Sequence, residues 1–129
     1  MKTTIKTLTT AFILIAALAF TISGCSKKEN MAPVIDIEEP TNNRMISLGD
    51  SIHIEGVVTD DESLHEMSVI VTNTANVKVL EEYPTVHELS TYSFHYHFHP
   101  MATGTYTLTV TAEDHDGKAG TATRTFMVM

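Results

Sequence analysis

The sequence predicts an all-β fold in which about seven strands form two antiparallel sheets that pack face to face. From residue 33 to residue 129, apolar and polar residues alternate with the period of two that is expected of half-buried strands. No segment in this region has a sustained helical period. Clusters of Asp, Asn, Gly and Pro separate the alternating segments, as turns do between the short strands of a sandwich.

Four strands are predicted in the first half of this region. The first covers residues 34–37, and a turn at residues 40–43 leads to the second at residues 51–59. Alternation in the second strand places His53 and Glu55 on the face opposite to its apolar residues, which we expect to point inward. The remaining predictions here are a third strand with Met67, Val69 and Val71 on its inner face, an edge strand at residues 77–80 and a loop at residues 81–89.

Three further strands are predicted in the second half. In the fifth strand, aromatic residues alternate with Ser93 and three histidines, and Pro100 ends it. The sixth begins at Gly104, and a hairpin turn at residues 113–118 joins it to the last strand at residues 121–128. The residues expected to point inward from the fifth and sixth strands are Tyr92, Phe94, Tyr96, Phe98, Tyr106, Leu108, Val110 and Ala112.

Seven short strands in about a hundred residues are typical of an immunoglobulin-like β-sandwich. The sequence also resembles the bacterial immunoglobulin-like domains of surface proteins over residues 33–129, and this resemblance implies the same fold. Its function is not implied, because such sandwiches have many roles. The histidine-rich fifth strand departs from the family, which usually has threonine and tryptophan there. The segments that carry the resemblance are residues 48–52 (LGDSI), 58–62 (VTDDE), 104–108 (GTYTL) and 111–117 (TAEDHDG).

The N-terminal segment resembles the signal peptide of a bacterial lipoprotein. Lys2 and Lys6 precede an apolar run at residues 11–20, which is too short to span a bilayer. Residues 22–25 (ISGC) follow the lipobox order of hydrophobic, small, small and cysteine. The resemblance implies cleavage before Cys25 and attachment of diacylglycerol and a further acyl chain, such as palmitate, to that residue. The predicted organisation is therefore a signal peptide (1–24), a lipidated tether (25–32) and a β-sandwich domain (33–129); the alternative is a plain signal peptide with an incidental cysteine.

The residue after the cysteine and the overall charge constrain the location and the partners. A serine directly after the cysteine, here Ser26, resembles the pattern of lipoproteins that pass to the outer membrane. The chain is also similar to single-domain lipoproteins of the Bacteroidota. The face of the membrane on which the domain lies is left open.

Eight basic and sixteen acidic residues give a net charge of −8, and loss of Lys2 and Lys6 with the signal peptide changes this to −10. A nucleic-acid partner is disfavoured, because phosphate binding needs a basic patch.

A row of histidines on the fifth predicted strand is the first candidate site. His95, His97 and His99 share its outward face, with neighbours about 6.6 Å apart along the backbone. The second and fifth strands pair in such a sandwich, which places His53 and Glu55 beside the row. Two imidazoles at this spacing can bind one zinc or copper ion, and a third ligand is expected from His53 or Glu55 because the outer histidines are about 13 Å apart. The alternatives are a solvated polar face or a pH-sensitive group of imidazoles.

Acidic residues in two predicted loops form the second candidate site. Asp60, Asp61 and Glu62 follow the second strand, whereas Asp114 and Asp116 lie in the last hairpin. These loops lie at the same end of an immunoglobulin-like sandwich, and carboxylates are calcium ligands. The spacing does not match an EF-hand loop, and aspartates also stabilise turns without any metal.

The sequence predicts a function other than catalysis. It contains no nucleophile elbow, phosphate-binding glycine loop or His-Glu-x-x-His motif, and lipidation would occupy its only cysteine. The favoured interpretation is an acylated immunoglobulin-like interaction or adhesion module at the bacterial envelope, whose loops or sheet edge contact an envelope protein or a glycan. The alternative is an envelope lipoprotein that binds zinc or copper through the histidine-rich strand.

Overall fold

The structure, a computed structural model, describes residues 30–129. The predicted signal peptide, Cys25 and most of the tether lie outside the described residues. Residues 30–129 contain no helical segment with the length and hydrophobicity of a membrane span. The described part contains eight strands, β1 (Val34–Glu39), β2 (Arg44–Ile46), β3 (Ile52–Thr59), β4 (Leu64–Asn73), β5 (Lys78–Glu82), β6 (Thr91–Phe98), β7 (Gly104–Asp114) and β8 (Ala119–Val128).

The strands form two sheets that pack as a sandwich. One sheet has the order β1-β3-β6 and the other has the order β2-β8-β7-β4-β5. All neighbouring strands are antiparallel except β2 and β8, which are parallel. The chain changes sheets between β1 and β2, at the predicted turn. The predicted all-β, immunoglobulin-like sandwich is therefore confirmed, including the pairing of the second and fifth predicted strands, which are β3 and β6.

The core is formed by the inward residues of both sheets, because alternation gives each strand one apolar face. Ile54 and Val58 of β3 and Leu108 and Val110 of β7 are fully buried. The rings of Tyr106 and Phe126 stack with centroids 5.5 Å apart, and Phe98 meets both rings edge-on. Tyr92 and Tyr96 are partly buried and pack against this core. The outward faces are thereby free to carry polar side chains such as histidine.

Three elements differ from the predictions, and one of them is β7, which extends through Asp114 although residues 113–118 were predicted as a turn. The structure has eight strands because β2, which was not predicted, pairs with β8 through only three residues. Its residues are exposed or half-buried, so its sequence shows no alternation. Strand β5 extends through Glu82, although residues 81–89 were predicted as loop. Pairing of Ile70 with Glu81 and of Val69 with Glu82 stabilises these acidic residues as an edge strand.

Candidate metal centre

Three histidines converge on the outer face of the three-stranded sheet. The antiparallel register of β3 and β6 sets His53 opposite His97 and Glu55 opposite His95. These four residues occupy alternate positions of their strands, so their side chains share one face. Ring centroids lie 4.5 Å apart for His53 and His97, 5.2 Å for His53 and His95, and 4.8 Å for His95 and His97. We call His53, His95 and His97 the sheet cluster.

Glu55 contacts two rings of the sheet cluster through one carboxylate oxygen. Its Oε1 accepts a hydrogen bond from Nδ1 of His53 at 2.9 Å and lies 3.0 Å from Nδ1 of His95, within ion-pair distance. A neutral imidazole that donates through Nδ1 keeps Nε2 unprotonated, and this is the form in which imidazole binds metals. Carboxylates commonly orient metal-binding histidines in this way. Glu55 is therefore placed to orient His53 through a hydrogen bond and also contacts His95.

The spacing of the ring nitrogens suits a single metal ion. One nitrogen from each histidine of the sheet cluster lies within 4.8 Å of those of the other two. Nε2 of His95 and Nε2 of His97 are 3.1 Å apart. Two nitrogens bound to one tetrahedral zinc ion at about 2.0–2.1 Å are about 3.3 Å from each other, so a small rotation of the rings would suffice. All three histidines are exposed, which leaves further coordination positions open to solvent.

His99, the remaining histidine of the predicted row, is not in the sheet cluster. Strand β6 ends at Phe98, and the last register pair joins Phe98 to Ile52, so His99 has no partner position on β3. It is exposed just beyond the strand. His99 therefore offers a matched control for substitutions of the clustered histidines.

The acidic loops lie at the same end of the sandwich, as predicted, because Leu64 pairs with Asp114. Several of their carboxylate oxygens accept hydrogen bonds within the protein, whereas Oδ1 of Asp60 is buried and has no hydrogen-bond partner in residues 30–129. Oδ1 of the buried Asp114 accepts hydrogen bonds from the backbone N–H groups of Asp116 and Lys118, both at 2.8 Å. Burial raises the pKa of Asp114, but these hydrogen bonds lower the pKa by a larger amount. The pKa of Asp114 therefore lies below its usual value.

The carboxylates of Asp60, Asp61 and Asp116 also accept hydrogen bonds. Oδ2 of Asp60 accepts from the backbone of Glu62 at 3.0 Å, and Oδ1 of Asp61 accepts from the backbone of Met31 at 3.1 Å. Oδ2 of Asp116 accepts from the side chain of Asn30 at 2.7 Å. In residues 30–129, both groups of three or more converging metal-ligand side chains consist of histidines, and neither includes the five predicted calcium ligands.

The second histidine group, which the sequence analysis missed, lies at the acidic end. It consists of His65 at the start of β4, His87 in the loop between β5 and β6, and His115 in the hairpin between β7 and β8. Three separate elements supply one residue each, so no spacing in the sequence indicates the group. The topology of the fold could have indicated that the three histidines meet, because loops from alternate connections of a sandwich gather at one end. We call these three residues the loop cluster.

Comparison with known proteins identifies the fold. The family model of the bacterial Ig domain matches residues 33–110. No curated protein matches the chain in sequence. Fibronectin(III)-like modules of CbhA from Clostridium thermocellum share 16% identity with a TM-score of 0.52, over 74% of this chain and 94% of theirs.

Two further structures have the same architecture. A CARDB domain from Pyrococcus furiosus shares 12% identity with a TM-score of 0.52, over 77% of this chain and 98% of its own. An engineered protein shares 17% identity with a TM-score of 0.53 over 75% of this chain, which spans only 20% of that protein. At such low identity, these similarities establish the fold alone.

Proposed function

The chain belongs to the family of bacterial Ig domains, and we propose that it is a binding module, that it is not an enzyme, and that its ligand is a divalent transition metal. The observation that carries this proposal is the sheet cluster, in which Glu55 contacts His53 and His95 beside His97. The predicted contact with an envelope protein or a glycan stays a prediction, because no feature of residues 30–129 identifies such a partner.

The chemistry of the ligands favours zinc or copper. Neutral imidazole nitrogen suits both ions, whereas calcium and magnesium prefer oxygen. Glu55 and the acidic surface attract cations, since the chain carries a net charge of −8. Three histidines would leave one position of a tetrahedral ion open to solvent. The module could therefore take up an ion from solution and release it without unfolding.

Substitution of Glu55 tests the proposal. We expect Glu55→Ala to weaken zinc binding about 10- to 100-fold, because His53 loses the acceptor that orients its ring and His95 loses its contact with the carboxylate. Glu55→Gln keeps an oxygen acceptor and should fall between Glu55→Ala and the native chain. Isothermal titration of the full chain, purified in non-ionic detergent without a histidine tag, measures these affinities.

The matched control for this titration is His99→Ala, which removes an exposed histidine outside the sheet cluster and should leave the affinity unchanged. Equal binding by the native, Glu55→Ala and Glu55→Gln chains would contradict the role of Glu55. Absence of zinc and copper binding at micromolar concentrations in the native chain would contradict the proposed function itself.

We further propose that a lipid on Cys25 anchors the module in the outer membrane, as the lipobox resemblance implies. Asn30 and Met31, the first described residues, contact Asp116 and Asp61 at the acidic end of the sandwich. Four residues lie between Cys25 and Asn30, so these two residues are five steps of the chain apart and at most about 18 Å from each other. The acidic end would therefore lie near the membrane. The sheet cluster begins six residues along β3 from Thr59, about 20 Å farther out.

Replacement of the lipidated residue tests this anchor. We expect Cys25→Ser to prevent acylation, because the substitution removes the thiol to which the lipid is attached. Since stable anchoring needs more than one acyl chain, the protein should then leave the membrane fraction or remain as the unprocessed precursor. Fractionation of cells followed by intact-mass measurement detects both effects. A native chain whose mass lacks acyl groups, with Cys25→Ser fractionating like the native chain, would contradict the anchor.

A further inference from the structure

We propose that the loop cluster, His65, His87 and His115, is a second binding site for a divalent transition metal such as zinc or copper. It lies at the acidic end of the sandwich, whereas the sheet cluster lies toward the other end of β3. All seven histidines of the chain lie within residues 30–129, and six of them belong to the two clusters. The second site is independent of the first, because the two clusters share no residue.

The three rings of the loop cluster are nearly as close to one another as those of the sheet cluster. Ring centroids are 4.8 Å apart for His65 and His115, 4.7 Å for His87 and His115, and 5.6 Å for His65 and His87. One ring nitrogen of each residue lies within 4.8 Å of those of the other two. This separation is within reach of three bonds of about 2.0–2.1 Å to one ion after small rotations of the side chains.

Each histidine of the loop cluster follows a buried residue that fixes its backbone. Leu64, which precedes His65, and Val86, which precedes His87, are at most 1% exposed and belong to the core. Asp114, which precedes His115, is also 1% exposed. Ligands held by buried neighbours lose little conformational entropy when a metal binds, so the site is preorganised.

Backbone hydrogen bonds join the first two of these elements directly. The N–H of Leu64 donates to the carbonyl of Leu89 at 2.8 Å, and the N–H of Glu88 donates to the carbonyl of Leu64 at 3.0 Å. The loop around His87 is thus tied to the residue before His65. His65 itself occupies a β-bulge between β4 and β7, since the register shifts between Leu64 and Glu66. Bulges of this kind redirect side chains and are common beside functional sites.

The nitrogens of His65 indicate how it would bind a metal. Its Nε2 lies 3.9 Å from Oε1 of Glu66, whereas its Nδ1 is buried and has no hydrogen-bond partner among residues 30–129. A buried polar nitrogen without a partner costs free energy, and a bond to a metal would remove that cost. We therefore assign Nδ1 as the ligand atom of His65, with Glu66 on the side of the other nitrogen.

The position of the site defines what a bound ion would do. His65 belongs to the five-stranded sheet, whereas His87 lies in the loop that leads into β6 of the other sheet. An ion bound to both, and to the hairpin through His115, would link the two sheets across one end of the sandwich. A cleft of about 280 Å³, lined in part by His65 and His87, adjoins the site and has room for water or a small anion as an additional ligand.

The test isolates this site by removing the other. In the full chain with His95→Ala and His97→Ala, we expect one zinc ion still to bind, and addition of His87→Ala and His115→Ala to weaken that binding about 100-fold or more. Both of the latter residues are exposed, so their removal should leave the fold intact. Isothermal titration gives the stoichiometry, and His99→Ala added to the same background is the control.

A second readout separates this site from binding elsewhere. Zinc should slow hydrogen exchange at the backbone amides of Glu88, Leu89 and Lys118, which flank His87 and His115, and should do so only when those histidines are present. The proposal is overturned if the chain with His95→Ala and His97→Ala binds no zinc. It is also overturned if His87→Ala and His115→Ala leave the affinity and the exchange rates unchanged.

Discussion

A chain carrying His95→Ala and His97→Ala should bind zinc at the sheet cluster about 1000-fold more weakly than the native chain. The two substitutions remove two of three imidazole ligands and leave His53 with Glu55. Loss of a residue that only supports a ligand typically lowers metal affinity about 10- to 100-fold, and loss of each ligand should lower it by more. Isothermal titration should be done with His87→Ala present in both chains, so that the loop cluster does not contribute.

The matched comparison for this experiment replaces His99, which lies one alternate position beyond His97 but outside the sheet cluster. A chain with His99→Ala should bind zinc like its parent. Circular dichroism and the unfolding temperature should be unchanged in both variants, because the substituted side chains are exposed. If removal of His95 and His97 weakened zinc binding by less than tenfold, the sheet cluster would not be the site.

Gly56→Ala should destabilise the sandwich by about 3 kcal/mol or more, a large part of the stability of a typical domain. A Cβ at Gly56 would lie 2.3 Å from the backbone oxygen of Asp36 and 2.6 Å from Cζ of Phe94. Gly56 pairs with Ile37 of β1 on one side and with Phe94 of β6 on the other. Relief of both clashes requires β1 and the ring of Phe94 to move, since a backbone atom cannot rotate away. Urea unfolding followed by circular dichroism measures the loss.

Ser93→Ala is the control for this prediction. Ser93 is an exposed residue that faces Val57, directly beside the Gly56 and Phe94 pair, and its substitution should change stability by less than about 0.5 kcal/mol. A Gly56→Ala protein as stable as Ser93→Ala would show that β1, β3 and β6 do not pack as described.

The sheet cluster could be predicted from the sequence because it depends on a period of two and on one strand pairing. Alternation placed His95 and His97 on one face, and the fold class implied that β3 and β6 are neighbours. The relative register of the two strands could not be derived in this way. A register shifted by two residues would have brought His99 toward His53 in place of His97, and the observed register is fixed by which core residues of β3 and β6 meet, as with Gly56 and Phe94.

The loop cluster could not be predicted because it depends on loop conformations. The position of His87 follows from burial of Val86 and from two hydrogen bonds to Leu64, none of which has a periodic signal. His65 depends on a bulge that inserts one residue into β4. The calcium site stays a prediction: the acidic loops meet at one end as expected, and Oδ1 of Asp114 accepts hydrogen bonds from the backbone of its own turn.

In the proposed metal site, β3 and β6 together present three imidazoles and one carboxylate to a single metal ion. X-ray absorption at the zinc K-edge tests this arrangement most directly, on the full chain with His87→Ala and one equivalent of zinc. We expect three imidazole nitrogens at about 2.0–2.1 Å from the zinc ion with one additional light atom from solvent. A shell made of oxygen atoms, or one with a single imidazole, would contradict this arrangement.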